Sequence, residues 1–261
     1  MLKDLPRPAI FAHRGASAYA PENTLAAFRL ALEQGVDGIE MDVGLCADEQ
    51  VVVIHDSTVD RTTEGSGQVI QMSLQALREL DAGSFFDQAY QGERIPLFNE
   101  ALELIGQRAF IVVELKYHGV ASIKLVEKVI EAIRAHALEG NILISSFHPL
   151  MLRWARRLSP VLPVAQLTLH GSAGALLRSP IGRLILNYQA LHPDYRDVNP
   201  ALLKRMHGYH CRLHAYTVDR TEEMLALFRL GIDGIFTNDP VLALKTRRDY
   251  FRDKIKENVP I

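Results

Sequence analysis

The sequence predicts an α/β fold, a (β/α)8 TIM barrel with a small insertion after its second strand. Three observations lead there. Short apolar, β-branched runs alternate with helix-period segments along nearly the whole chain. The runs are almost continuously hydrophobic, as in a parallel sheet covered on its outer face. And 261 residues suit one α/β barrel or two small domains; with the alternation running nearly throughout, a single domain over 1–261 is expected. An open doubly wound sheet is the competing arrangement.

Eight runs read as barrel strands: residues 9–12, 38–43, 109–115, 141–146, 163–169, 189–192, 213–218 and 234–237. The connecting segments carry helix signals. In residues 24–34, Leu25, Phe28 and Leu32 recur at helical spacing, with Asn23 or Thr24 as the cap and Gly35 as the stop. In residues 221–230, Glu222 and Glu223 occupy the first turn and Gly231 follows the last. The two exits look alike, Gly35-Val36-Asp37-Gly38-Ile39 and Gly231-Ile232-Asp233-Gly234-Ile235. Asp239-Pro240 opens a final basic helix as cap and first residue.

One stretch breaks the alternation. A polar link at 45–49 is too short for a helical crossover, so residues 50–54 read as an antiparallel strand outside the barrel. A Gly-, Ser- and Thr-rich segment (58–67) and a short helix near 73–80 follow. Residues 45–95 are therefore expected to form the small insertion subdomain.

The composition excludes several classes. The formal net charge of -2 gives no bulk attraction for nucleic acid or an anionic membrane. Cys46 and Cys211 form no ligand motif, and a reducing compartment suits them. The N-terminus lacks an apolar stretch of signal-peptide length, and no window approaches the roughly 18 apolar residues of a membrane helix. A cytoplasmic protein is expected.

Four places collect chemically able residues at strand ends: His13-Arg14, Glu40-Met41-Asp42, His55-Asp56 and Glu114-Leu115-Lys116. Strand positions two apart share a face, so Glu40 points with Asp42 and Glu114 with Lys116. Catalytic groups of such barrels sit at the C-terminal ends of the strands. Carboxylates gathered there repel unless a cation joins them, and an all-oxygen set suits one hard divalent ion, Mg2+ or Ca2+. Arg14 and Lys116 beside it suit a phosphate. Two histidines supply the proton transfers that phosphodiester cleavage needs. Singly, each piece has a plain structural reading; Glu114 and Lys116, for instance, make a simple ion pair.

The segments AHRGASAYAPENTLAAF, GIEMDV, VVVIHDSTVDRTTEGSG and VVELK, with AYTVD and GIFTNDP near the end, resemble the glycerophosphodiester phosphodiesterases over nearly the whole chain. The resemblance implies a (β/α)8 barrel with an insertion between the second strand and its helix. It implies His13 and His55 as the acid–base pair, Glu40, Asp42 and Glu114 as metal ligands, and Arg14 and Lys116 on the phosphate. In related enzymes a substrate hydroxyl attacks phosphorus, and water then opens the cyclic phosphate. The expected partner is a small glycerophosphodiester, such as glycerophosphocholine, which would yield glycerol 3-phosphate and an alcohol. Where the family commonly has Trp before Thr-Val, this chain has Tyr216, either a pocket wall or a lining core residue.

Other features are read more plainly. Glu22 and Asn23 are taken as helix-capping residues, and His148 as a loop residue. His192, His210 and His214 carry no motif. Residues 170–187 are long, with Leu176, Leu177, Ile181, Leu184, Ile185 and Leu186 among glycines and a proline. They are either an ordinary barrel helix or an apolar wall by the leaving group, which would favour lysophospholipids or peripheral membrane contact. The competing functions are a lysophospholipase D or sphingomyelinase-D-like enzyme and a non-catalytic phosphate-binding barrel. A nucleic-acid enzyme would need the basic surface that is missing.

Overall fold

The computed structural model describes residues 2–117 and 122–256. Nine strands form one sheet: β1 (Ala9–Ala12), β2 (Gly38–Leu45), β3 (Val51–Val53), β4 (Phe110–Leu115), β5 (Ile142–Ser146), β6 (Val164–Thr168), β7 (Ala190–Pro193), β8 (Arg212–Ala215) and β9 (Gly234–Thr237). All neighbours except β2 and β3 are parallel, and β1 pairs with both β9 and β2, so eight strands close into a barrel. The expected α/β barrel is the observed fold. β3 lies antiparallel on β2, with Val43 opposite Val53, as the short link requires.

The helices are α1 (Leu25–Gln34), α2 (Leu74–Glu79), α3 (Phe98–Ile105), α4 (Ile123–Ala135), α5 (Pro149–Leu158), α6 (Ser172–Ala175), α7 (Pro180–Leu186), α8 (Pro200–Gly208), α9 (Thr221–Leu230) and α10 (Pro240–Lys256). Alternate strand residues face opposite ways. Ile10, Ile39, Ile111, Ile144 and Leu213 face outward into the main core beneath the helices. Phe11, Phe110, Leu143, Ala165 and Phe236 fill the barrel interior. A third apolar cluster, including Val52, Ile54, Val69 and Leu77, sits within residues 45–95.

The two look-alike passages have a common physical cause. Gly35 and Gly231 end α1 and α9 in the left-handed conformation, at φ 77° and 82°. The aspartates that follow accept backbone N–H groups from the neighbouring strand: Asp37 from Ile10 at 2.7 Å and Asp233 from Leu213 at 2.9 Å. The next glycines make room for Phe11. A Cβ on Gly38 or Gly234 would lie 2.6 or 2.9 Å from its ring. The barrel floor is thus one aromatic ring flanked by two glycine strands.

Residues 170–187 include the two short helices α6 and α7. α7 returns the chain from the C-terminal end of β6 to the start of β7, as a barrel helix does. Leu186 packs on the core with Leu177 beside it, while Leu176, Ile181, Leu184 and Ile185 face outward. Among the described residues, no helix is long and apolar enough to cross a membrane.

Candidate active site

The C-terminal end of β1 begins the site. After Ala12 the chain turns sharply, with Arg14 at φ 58° and Gly15 at φ 83°. A positive φ is uncommon for an arginine. Here it aims the Arg14 backbone N–H at Glu40 Oε2, 2.9 Å away. The same turn brings Arg14 Nε within 3.3 Å of Asp42 Oδ2.

Glu40 and Asp42 leave β2 on one face, and Asp42 stands directly opposite Glu114 on β4. Oxygens of the three carboxyl groups lie within 4.8 Å of one another, and all three residues are buried. Lys116 Nζ lies 2.9 Å from Glu114 and 3.3 Å from Asp42 Oδ1. Asn23 Nδ2 donates to Asp42 Oδ2 at 2.8 Å.

The electrostatics of this cluster are unbalanced. Burial, then the charges of Asp42 and Glu114, push the Glu40 carboxyl well above its ordinary value. Burial and the Asp42 charge push Glu114 up to about 7. Asp42 goes the other way: against burial, Lys116 and then Arg14 hold it well below the usual carboxylate range. Two of the three groups therefore tend to retain protons when only Arg14 and Lys116 neutralise them. Asp42 Oδ1 also accepts no hydrogen bond. A divalent ion would displace those protons and engage that oxygen, so the residues fit a hard cation.

Two histidines flank the carboxylates. His13 Nδ1 lies 2.8 Å from Asn238 Oδ1, and the Asn238 amide is oriented by donation from Nδ2 to Asp219 at 2.7 Å. The Asn238 oxygen can only accept, so His13 carries its proton on Nδ1 and keeps Nε2 free. Burial, then Arg14, lower the His13 pKa to about 4. His55 Nδ1 lies 2.5 Å from Asp56 Oδ1. Arg61 binds the other Asp56 oxygen at 2.7 Å and both Glu22 oxygens at 2.7 and 2.8 Å. Glu22 in turn accepts from Arg14 at 2.8 Å. The ion-pair chain Arg14–Glu22–Arg61–Asp56 thus ties the β1 turn to the histidine of the insertion.

Several of these links were not legible in the sequence. Glu22 and Asn23 are not caps; Thr24 caps α1, its side chain accepting from Ala27, while Glu22 and Asn23 reach into the site. Asn23 can do so because it sits at φ 58°, turning its amide toward Asp42. Asn238 and Arg61 belong to no spacing that marks a site, although Asn238 follows directly on β9 at the active end and Asp56 adjoins His55. His148 caps α5 without a side-chain bond and stacks on Tyr117 with ring centroids 4.4 Å apart.

His13, Arg14, Glu40, His55 and Glu114 all line one cavity of about 170 Å3. That is below the roughly 300–1,000 Å3 of sites for drug-sized ligands, and it suits a small polar solute. Its other side is formed by Phe147, Leu167, His192, Tyr216 and Phe236. Tyr216 is a wall rather than free surface. Its hydroxyl donates to the Thr168 carbonyl at 2.8 Å, and its ring meets the edge of Phe147 at 6.0 Å.

Residues 13–242 match the model of the Glycerophosphoryl diester phosphodiesterase family. A glycerophosphodiester phosphodiesterase of Caldanaerobacter subterraneus subsp. tengcongensis is 41% identical over 232 residues, covering 88% of this chain and 94% of that protein. One from Bacillus subtilis is 32% identical over 257 residues, covering 92% and 86%. Among solved structures, an Oleispira antarctica phosphodiesterase in complex with its product sn-glycerol-3-phosphate has a TM-score of 0.86 at 30% identity, over 93% of this chain and 97% of that one. An Agrobacterium tumefaciens glycerophosphodiester phosphodiesterase has a TM-score of 0.80 at 29% identity, over 91% and 99%. With the motif, the barrel and the charged pocket in agreement, this chain belongs to the glycerophosphoryl diester phosphodiesterase family.

Proposed function

We propose that the protein hydrolyses glycerophosphodiesters such as glycerophosphocholine or glycerophosphoethanolamine, releasing glycerol 3-phosphate and an alcohol. The observation that carries this reading is one cavity lined by Glu40, Glu114, Arg14, His13 and His55, with Asp42 and Lys116 paired to those groups beside it. A single divalent cation, Mg2+ or Ca2+, would be held by Glu40, Asp42 and Glu114. When bound, it supplies Lewis-acid stabilisation of charge on the phosphoryl oxygens.

The protein's own groups do the rest. Arg14 and Lys116 face the phosphate and offset its charge as phosphorus is attacked. His13 and His55 each commit Nδ1 to a fixed partner, which leaves Nε2 to exchange a proton with substrate. One ring takes the proton of the attacking glycerol 2-hydroxyl, and the other gives a proton to the departing alcohol oxygen. A cyclic glycerol phosphate results. The same pair, in reversed roles, passes the proton of the water that opens it. Asp56 stabilises a positive charge on His55, whereas the neutral Asn238 only orients His13.

The test is glycerol 3-phosphate release from purified protein given glycerophosphocholine, with Mg2+, with Ca2+ and with excess chelator. Release that chelator abolishes and one of the ions restores supports the reading. No release under any condition, with turnover of lysophosphatidylcholine instead, would replace it with a lysophospholipase D function.

A further inference from the structure

We infer that His192 reads the terminal hydroxyl of the glycerol moiety and so determines specificity in the catalytic pocket. This rests on the glycerophosphodiester reading and names the group that recognises the part of the substrate remote from phosphorus. His192 leaves β7 toward the barrel interior, opposite Leu167 of β6, and lines the same cavity as His13, Arg14 and Glu114. It is completely buried. Its Nε2 lies 3.2 Å from Nδ1 of His214 on the adjacent strand, so one ring nitrogen is committed. Its Nδ1 is buried and has no hydrogen-bond partner. Buried polar atoms are nearly always paired, so an orphan on a residue that lines a cavity calls for a partner there, a water in the free protein or a ligand atom in the complex.

The surroundings specify which atom. Val112, Leu167 and Phe236 line the cavity beside His192 and offer no hydrogen bond. The Phe236 ring meets His192 nearly edge-on at 4.9 Å. Ser145 and Thr217 add hydroxyls to the lining, the Ser145 hydroxyl reaching the Val113 carbonyl only at 3.4 Å. Charge is confined to the opposite side, where Arg14 and Lys116 claim the phosphate. Burial keeps His192 neutral. A neutral imidazole offers either one N–H or one lone pair at Nδ1, depending on which ring donates in the His192–His214 pair. A hydroxyl, both donor and acceptor, satisfies either case. A carboxylate or an ammonium satisfies only one and would have to be desolvated among apolar walls. With the phosphate held at the cationic rim, the group that reaches this nitrogen is an alcohol on the carbon chain. The 2-hydroxyl is needed at phosphorus, which leaves the terminal one.

The experiment compares kcat/KM for glycerophosphocholine and for 2-hydroxypropyl phosphocholine, which keeps the attacking 2-hydroxyl and lacks the terminal one. The wild-type protein should prefer glycerophosphocholine by at least about tenfold. His192→Leu should lower glycerophosphocholine turnover by about the same factor, chiefly through KM, and leave the analogue nearly unchanged, so the preference collapses. His192→Gln, which restores a donor and an acceptor, should recover part of it. Should His192→Leu fold poorly, the wild-type preference and the His192→Gln ratio still decide the matter. Equal wild-type turnover of both diesters, or an equal fall on both in the variants, would overturn the assignment and leave the catalytic reading standing. A wild-type protein that hydrolyses neither diester would overturn both.

Discussion

The mouth of this barrel has two unlike halves. β1, β2 and β4, with the insertion, deliver His13, Arg14, Glu40, Asp42, His55, Glu114 and Lys116, a dense ionic network. β6 to β9 deliver Leu167, His192, Tyr216 and Phe236, with no charge among them. Strand ends of a parallel barrel are geometrically equivalent, so the difference lies in the side chains they carry and in the insertion that adds His55 on one side. It separates two tasks. The ionic half is suited to handling a phosphate and its protons, and the neutral half to accepting the carbon-bearing parts of a small solute.

Breaking the ionic half should have the largest effect. His13→Ala and His55→Ala should each lower kcat/KM for glycerophosphocholine by about 10²–10⁴-fold. Both should melt within a few degrees of the wild type, since neither ring is part of the apolar cores. Calorimetry with activity assays checks this, and a folded His55→Ala protein of normal activity would refute the acid–base assignment. Next, Asp42→Asn removes the one carboxylate that Lys116 and Arg14 both hold ionised. It should weaken activation by the divalent cation about 100-fold or more, read by titrating Mg2+ or Ca2+.

The neutral half makes a prediction about stability. Burial lowers the His192 pKa from 6.5 to about 3. The unfolded chain therefore binds a proton that the folded one refuses. The contribution of the neutral ring is fully present above pH 6.5 and is lost as pH falls toward 3. Between pH 7.5 and 5 this amounts to about 2 kcal/mol. Urea unfolding at the two pH values should show a smaller acid loss in the double variant His192→Leu/His214→Leu than in the wild type. An identical loss would mean that the buried pair does not titrate as its burial implies. The smallest effect is expected at the boundary of the halves. Tyr216→Phe removes the hydrogen bond to Thr168 and keeps the ring. It should change kcat/KM by no more than about fivefold, because one neutral hydrogen bond is worth about 1 kcal/mol. Tyr216→Ala should shift the relative rates on glycerophosphocholine and glycerophosphoethanolamine, which a competition assay reads out.

The two halves also differ in how legible they were. Strand periodicity puts Glu40 with Asp42 and Glu114 with Lys116, and the structure brings these four side chains together. Each barrel strand overlaps its expected run. The run at 213–218 overshoots because Tyr216 continues the pairing as a single bridge to Asp194, after β8 itself has ended. In the neutral half His192 looked like any other histidine, since its orphaned nitrogen arises only when β7, β8 and β9 pack their interior faces together. Residues 170–187 were ambiguous for a related reason. Their apolar residues alternate between the core and solvent in a way that 18 residues of mixed Gly, Pro and Leu do not display.

By itself the sequence determined the alternation of strands and helices, the antiparallel β3, the glycine stops of α1 and α9, and the in-phase carboxylates. These depend on local periodicity and on contacts a few residues apart. Only the tertiary structure decided that Asn238 would orient His13 across 225 positions, that Arg61 would bridge Glu22 and Asp56, and that Gly38 and Gly234 would both make room for Phe11. Those meetings follow from closing the barrel. Which distant side chains face one another is set by the stagger of the strands and the pairing of β1 with β9, and no local spacing encodes it.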